Sequence, residues 1–276
     1  MPRILTGLLR PLWYPPARHL YKVITDAGYR RHLLLTARIG GKPRFEPGAT
    51  KVFGWDLAFP DAASFLSAYT EIFGEQIYAF EAASPAPRIL DLGANIGLSV
   101  LYFKQRYPRA EVTAYEADPR IYDYLVRNVY GNGFTDVRLV NKAVWDSAAV
   151  LGFSADGADG GRVVPRGGGD QVSVEAVDIR EILASGRYDF LKMDIEGAEE
   201  RVIPACRGHL EHVERVFVEY HSVAREEQSL GRIISELTGA GFRIHVHHVH
   251  AVPSPLLKVQ PDAGFDLQLN IFAWKA

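Results

Sequence analysis

One cysteine, Cys206, stands in 276 residues, so an internal disulfide is excluded. That usage fits a reducing compartment, and the expected location is the cytoplasm. Long apolar runs are also missing. The stretch from Ile4 to Leu9 is too short, and too broken by Gly7, Arg10 and Pro11, for a signal peptide or a membrane span. Acids are nearly absent from the first 45 residues, where Arg3, Arg10, Arg18, Lys22, Arg30, Arg31, Arg38, Lys42 and Arg44 face only Asp26. The rest of the chain therefore holds ten more acids than bases. With Trp13, Tyr14, Tyr21 and Tyr29 interleaved, this arm suits an anionic membrane or an acidic partner. The preferred reading is a lid packed on its own acidic body or a contact between two copies in a homodimer. A body this acidic repels phosphates, which argues against a nucleic-acid partner.

Another absence is more specific. The run Arg88-Ile89-Leu90-Asp91-Leu92-Gly93-Ala94-Asn95-Ile96-Gly97-Leu98-Ser99 is an apolar strand that meets a glycine-punctuated turn opening a helix. Such turns hold nucleotide cofactors, because glycine lets backbone approach a ligand and the helix start offers free N–H groups. A dinucleotide fingerprint needs G-x-G-x-x-G, yet Asn95 takes the place of its second glycine. With an acid two residues before Gly93, the pattern fits S-adenosylmethionine better than NAD. Glu116 strengthens that choice: it ends the next strand, 23 residues after Gly93, where a carboxylate can accept both ribose hydroxyls. Asp118 caps the helix that follows, with Pro119 in its first turn.

Hydrophobic content of 47% lets the chain bury a sizeable core. There is no internal repeat. Residues 1–50 read as a basic helical extension and residues 51–276 as the main domain. Two short helices follow Pro15-Pro16, Lys51 to Leu57 reads as a strand, and Asp61 caps a helix whose Phe65, Leu66, Tyr69, Ile72 and Phe73 form a core face. From Arg88 onward strands alternate with helices, which predicts an α/β fold with a parallel sheet covered on both faces. Residues 150–175, rich in glycine, interrupt that rhythm as an antiparallel excursion near the mouth of a site. Segments 242–248 and 268–274 suit a closing hairpin with an antiparallel last strand.

In open α/β sheets ligands collect at the carboxyl ends of the strands. Acids gather there: Asp91, Glu116, Asp194 with Glu196, and Glu219 followed by His221. The runs Ile89 to Gly97, Tyr115 to Pro119, Asn141 to Val144, Leu191-Lys192-Met193-Asp194-Ile195-Glu196-Gly197-Ala198-Glu199 and Val218 to His221 together resemble the FkbM family of S-adenosylmethionine-dependent methyltransferases. The resemblance covers residue 70 or so to the C-terminus. It implies a class I methyltransferase (Rossmann-like) fold, doubly wound, with a mostly parallel seven-stranded sheet, and O-methylation of sugar or polyketide hydroxyls. The cofactor set is then Asp91, Gly93, Ala94, Asn95, Gly97, Glu116, Ala117, Ala143 and Asp194. The basic arm gains no role from it.

Methyl transfer to an aliphatic hydroxyl is an in-line displacement and needs the proton removed as attack proceeds. His221, read as lying just past a strand end, is the expected base, with Asp194, Glu196 and Glu219 around it. Mg²⁺ held by Asp194 and neighbouring acids is the alternative. Lys192 lies on the sheet face opposite Met193 and is placed to pair with a carboxylate. Asn95 either holds the cofactor's carboxylate or caps the helix. His245 and His247 face one side of their strand while His248 and His250 face the other, so they cannot share a metal. The sequence thus points to a methyltransferase acting on a hydroxyl of a glycan, glycolipid or polyketide-like molecule. The alternatives are an NAD-dependent oxidoreductase, a non-catalytic cofactor-binding protein of the same fold, and a base methylase. The last lacks its expected Asn/Asp-Pro-Pro-aromatic turn.

Overall fold

A computed structural model describes residues 15–154, 161–164, 171–224, 226–249, 254, 256–257 and 264–275. Helices α1 (Pro15–Thr25) and α2 (Ala27–Ile39) lead into a hairpin of β1 (Gly48–Val52) and β2 (Trp55–Phe59), then α3 (Ala62–Tyr69) and a π-helical turn Thr70–Glu75. The alternating body follows as β3 (Arg88–Leu92), α4 (Leu98–Arg106), β4 (Glu111–Tyr115), α5 (Pro119–Tyr130) and β5 (Arg138–Val140). Next come β6 (Ala143–Trp145), β7 (Ala149–Ser154), β8 (Arg162–Val164) and β9 (Gln171–Asp178). The chain returns through α6 (Ile179–Ala184), β10 (Phe190–Met193), α7 (Glu199–Ala205), β11 (Arg215–Val223), α8 (Leu230–Gly239), β12 (Arg243–His248) and β13 (Phe265–Trp274).

Seven strands form the main sheet in the order β12-β13-β11-β10-β3-β4-β5. Neighbours from β11 to β5 are parallel, and β13 runs antiparallel to both β11 and β12. Strand order reverses between β3 and β10, and such a switch point opens a crevice beyond the strand ends. Alternating residues face opposite layers, as the pleat requires. Ile89, Phe190 and Phe217 pack with α2, α3, α4 and α5, whereas Leu90, Leu191, Val216 and Val218 pack with α6, α7 and α8. The excursion forms its own sheet, β6-β9-β7-β8, antiparallel across β7–β9 and β7–β8. Gly157, Gly160 and Gly167 to Gly169 lie outside the described residues.

Three readings of the sequence need correction. The strand placed over Lys51 to Leu57 is a two-stranded hairpin, because Phe53 and Gly54 both take positive φ and turn the chain between β1 and β2. A phenylalanine in the first turn position hid that signal. Helix α1 begins at Pro15, so the double proline starts the helix instead of preceding it. The boundary at residue 50 falls inside β1, and Leu35 and Ile39 of α2 join the same core as β3.

Buried Asn128 of α5 ties the N-terminal layer to the crevice. Its Oδ1 accepts from Ala58 N at 2.8 Å, and its Nδ2 donates to Ala58 O and Ile96 O, both at 2.9 Å. Truncation strands three backbone groups, one of them in the glycine turn. Asn128→Ala should therefore cost about 3 kcal/mol in urea unfolding. A loss below about 1 kcal/mol would show that these bonds do not hold the layers together.

Candidate active site

The register of β3 against β10 sets Asp91 beside Lys192, two apolar-flanked positions that share one sheet face. Both are buried. Lys192 Nζ lies 3.3 Å from Asp91 Oδ1 and 3.2 Å from Asp194 Oδ2, and it donates to Gly93 O at 2.6 Å. Ser99 Oγ donates to the other Asp91 oxygen at 2.5 Å. Burial alone would drive the ammonium toward neutrality. Asp194 and Asp91 outweigh that and hold its pKa above the usual lysine value, so it stays charged.

The glycine turn owes its shape to protein packing. Gly93 (φ +83°) passes so close to the loop after β10 that a Cβ there would meet the Asp194 carbonyl oxygen at 1.7 Å. Gly97 (φ +91°) faces α5, where a Cβ would meet Leu125 at 2.8 Å and Val129 at 3.0 Å. Neither glycine is explained first by a ligand, contrary to the expectation from sequence. Asn95 also has positive φ, and its Oδ1 accepts from Ile96 N at 2.6 Å within the turn; α4 starts after Gly97 with no side-chain cap, so Asn95 does not cap it.

Two cavities meet at this turn. A narrow cleft of about 70 Å³ includes Gly93, Asn95, Glu116, Ala117, Ala143, Phe153 and Asp194 in its lining. Glu116 accepts from Asn95 N and Asp118 N, both at 2.9 Å. Burial pushes its pKa up to about 7 against those two bonds. Asn141 Nδ2 donates to Glu116 O and Ala117 O, holding the cleft floor to the strand beyond. A wider cavity of about 420 Å³ lies between the strand ends and the N-terminal layer. Arg44, Phe65, Glu71 and Tyr78 contribute to one side, and Ala94, Lys192, Asp194, Glu196, Glu219 and Phe265 to the other. Gly93, Asn95, Asp194 and Glu196 line both spaces.

His221 corrects the sequence reading most sharply. It lies inside β11, is 4% exposed and lines neither cavity. Its Nδ1 is 3.4 Å from Glu199 Oε1, and its Nε2 is 3.6 Å from Glu196 Oε2 and 3.8 Å from Glu219 Oε1. Burial opposes its charge, but Glu199 first, then Glu196 and Glu219, hold its pKa well above the ordinary value. Set behind carboxylates and away from both cavities, it is out of reach of an acceptor's proton. Glu199 is fully buried and also accepts from Ile195 N and Gly197 N at 2.9 Å, fixing a loop in which Glu196 and Gly197 both have positive φ. Burial raises the pKa of Glu196 well above the carboxylate range and that of Glu219 to about 8, with Asp194 adding repulsion at both.

Of the residues expected from sequence, Asp91 and Gly97 lie beneath the cavities and His221 behind them. The others line one or both. Sequence reasoning passed over Glu71, Tyr78, Phe153 and Glu199. Only Glu199 left a trace, as a third acid in the Asp194-to-Glu199 run.

A doubly wound sheet with this strand order, a glycine turn at its switch point and a carboxylate after the next strand define a class I S-adenosylmethionine-dependent methyltransferase. Residues 91–244 match the family model described as the methyltransferase FkbM domain, and the chain belongs to that family. It is 30% identical over 188 residues to methyltransferase sdnD of Sordaria araneosa, an alignment covering 55% of this chain and 73% of that one. It is 24% identical over 229 residues to the 31-O-demethyl-FK506 methyltransferase FkbM of Streptomyces tacrolimicus, covering 69% and 86%. Among solved structures, a methyltransferase FkbM from Methylobacillus flagellatus aligns with a TM-score of 0.47 at 16% identity, over 77% of this chain and 53% of that one.

Replacing Lys192 by methionine leaves Asp91 buried beside an apolar stem. Lys192→Met should cost about 3–5 kcal/mol in denaturant unfolding, the penalty of orphaning one half of a buried pair. A variant within about 1 kcal/mol of wild type would show that this ion cluster does not organise the strand ends.

Proposed function

We propose that this methyltransferase is an O-methyltransferase whose acceptor hydroxyl enters the wider cavity while S-adenosylmethionine lies along the narrow cleft. The observation that carries the reading is the shared wall, where Asp194 and Glu196 belong to both spaces and Glu219 faces the acceptor side. The residues fit the cofactor. Glu116 stands where ribose hydroxyls can donate to it, Ile121, Ala143, Val144 and Phe153 offer an apolar slot for a purine, and among the described residues lining the cleft Lys142 is the single cation a pyrophosphate would meet. Bound there, the cofactor supplies an electrophilic methyl group on a sulfonium.

The chain's own part is positioning and proton removal. Glu219 is the proposed base, because it lines the acceptor cavity and its pKa near 8 matches a proton acceptor working close to neutrality. His221 behind it is a positioning residue that offsets the charge of Glu196, Glu199 and Glu219. Lys192 holds Asp194 at the junction. Mg²⁺ fits this set poorly: Asp194, Glu219 and His221 bring ligand atoms within 4.8 Å, yet Asp194 is paired to Lys192 and a hard cation prefers oxygen to an imidazole nitrogen.

Glu71, Asp194, Glu196 and Glu219 outnumber Arg44 and Lys192 in the cavity lining, an acidic balance that favours hydroxyl donors over anions. The proposed acceptor is a neutral polyhydroxylated small molecule, such as a glycan, glycolipid headgroup or polyketide-like alcohol. A panel of these compounds, incubated with S-adenosylmethionine labelled in the methyl group, should yield a labelled methyl ether by NMR. Label found on nitrogen or carbon would contradict the reading.

A further inference from the structure

We propose that the outward face of α1 and α2 seats on an anionic lipid surface, a contact independent of the chemistry proposed above. Helix α1 leaves apolar side chains uncovered. Half-buried Lys22 and exposed His19 meet α2 at one residue: His19 Nδ1 is 2.8 Å from Tyr29 Oη, and Lys22 Nζ lies 5.3 Å over the Tyr29 ring. Arg30 Nη1 closes the joint by donating to Val23 O and Ile24 O at 3.0 and 2.8 Å. Its apolar side faces out. Leu20 and Ile24, one turn apart, are 59% and 68% exposed, Tyr21 beside them 53%, and Leu34 of α2 68%. Meanwhile Leu35 and Ile39 anchor α2 in the core, so the platform is fixed to the body.

Charge identifies the occupant. On α2 exposed Arg30 and Arg38 stand one turn either side of exposed Leu34, whereas the body is acidic, and such a molecule meets a negative surface by this face first. A second copy docking face to face would set these cations against themselves. No described helix is long and apolar enough to cross a membrane. An apolar stripe among bases is the pattern of a helix lying in the interface.

The test sediments the full chain with vesicles of mixed phosphatidylglycerol and phosphatidylcholine, and with phosphatidylcholine alone, at low and high salt. Binding should need the anionic lipid and weaken with salt, and Leu20→Asp with Ile24→Asp should lower it at least about tenfold. Both positions are exposed, so the double variant should keep its melting temperature and its affinity for S-adenosylhomocysteine. Arg38→Glu, on exposed α2 surface, gives an independent second reading of the electrostatic part and should also weaken binding. No sedimentation of wild type, or equal sedimentation of all three proteins, overturns the proposal. So does a dimer in light scattering that the double variant dissociates, which would make this face a contact between copies.

Discussion

The ammonium of Lys192 is the interaction on which the strand ends depend. It bridges two carboxylates and one carbonyl from three segments: Asp91 within β3, Gly93 in the turn beyond it, and Asp194 after β10. Without a buried cation, two carboxylates could not stand so close at the switch point of a sheet whose other residues there are apolar. The Gly93 turn can then press against the Asp194 carbonyl at a distance no side chain would permit. The turn and the loop after β10 are consequently one unit, and they form the wall between the two cavities.

A second layer of charge repeats the device further along β11. Buried His221 sits between Glu199 on one nitrogen and Glu196 and Glu219 on the other. Glu199 also holds the left-handed backbone of Glu196 and Gly197 through two N–H bonds. Such strain, kept in place by surrounding bonds, is characteristic of functional loops. Acids outnumber cations across both layers. Burial first, and then that excess, raises the pKa of Glu196 and Glu219.

Much of this was legible in the sequence because it is periodic or local. The β/α alternation from Arg88, the caps at Asp61 and Asp118, and the closing hairpin all follow from residue pattern. The acids at strand ends could be named because the rule linking strand ends to ligands needs only topology. What failed depended on three dimensions. Reading β11 as ending at Tyr220 put His221 in the open, whereas the strand runs to Val223 beside β13 and buries it. Glycine-to-ligand contact was inferred where glycine-to-protein contact, Gly93 against Asp194 and Gly97 against Leu125, decides the turn. Glu71 and Tyr78 reach the cavity from a layer that carries no motif at all.

The account stands or falls on which group takes the proton. Once an acceptor is in hand, the pH dependence of kcat should be compared among wild type, Glu219→Gln and His221→Asn. A carboxylate base must be ionised, so the wild-type rate should rise with pH through about 8, the value to which burial and Asp194 push Glu219. Glu219→Gln should lose about 100-fold or more in kcat together with that limb, while His221→Asn should shift the limb and keep it. A Glu219→Gln enzyme that retains both its rate and its limb, or a limb removed by His221→Asn alone, would contradict the account.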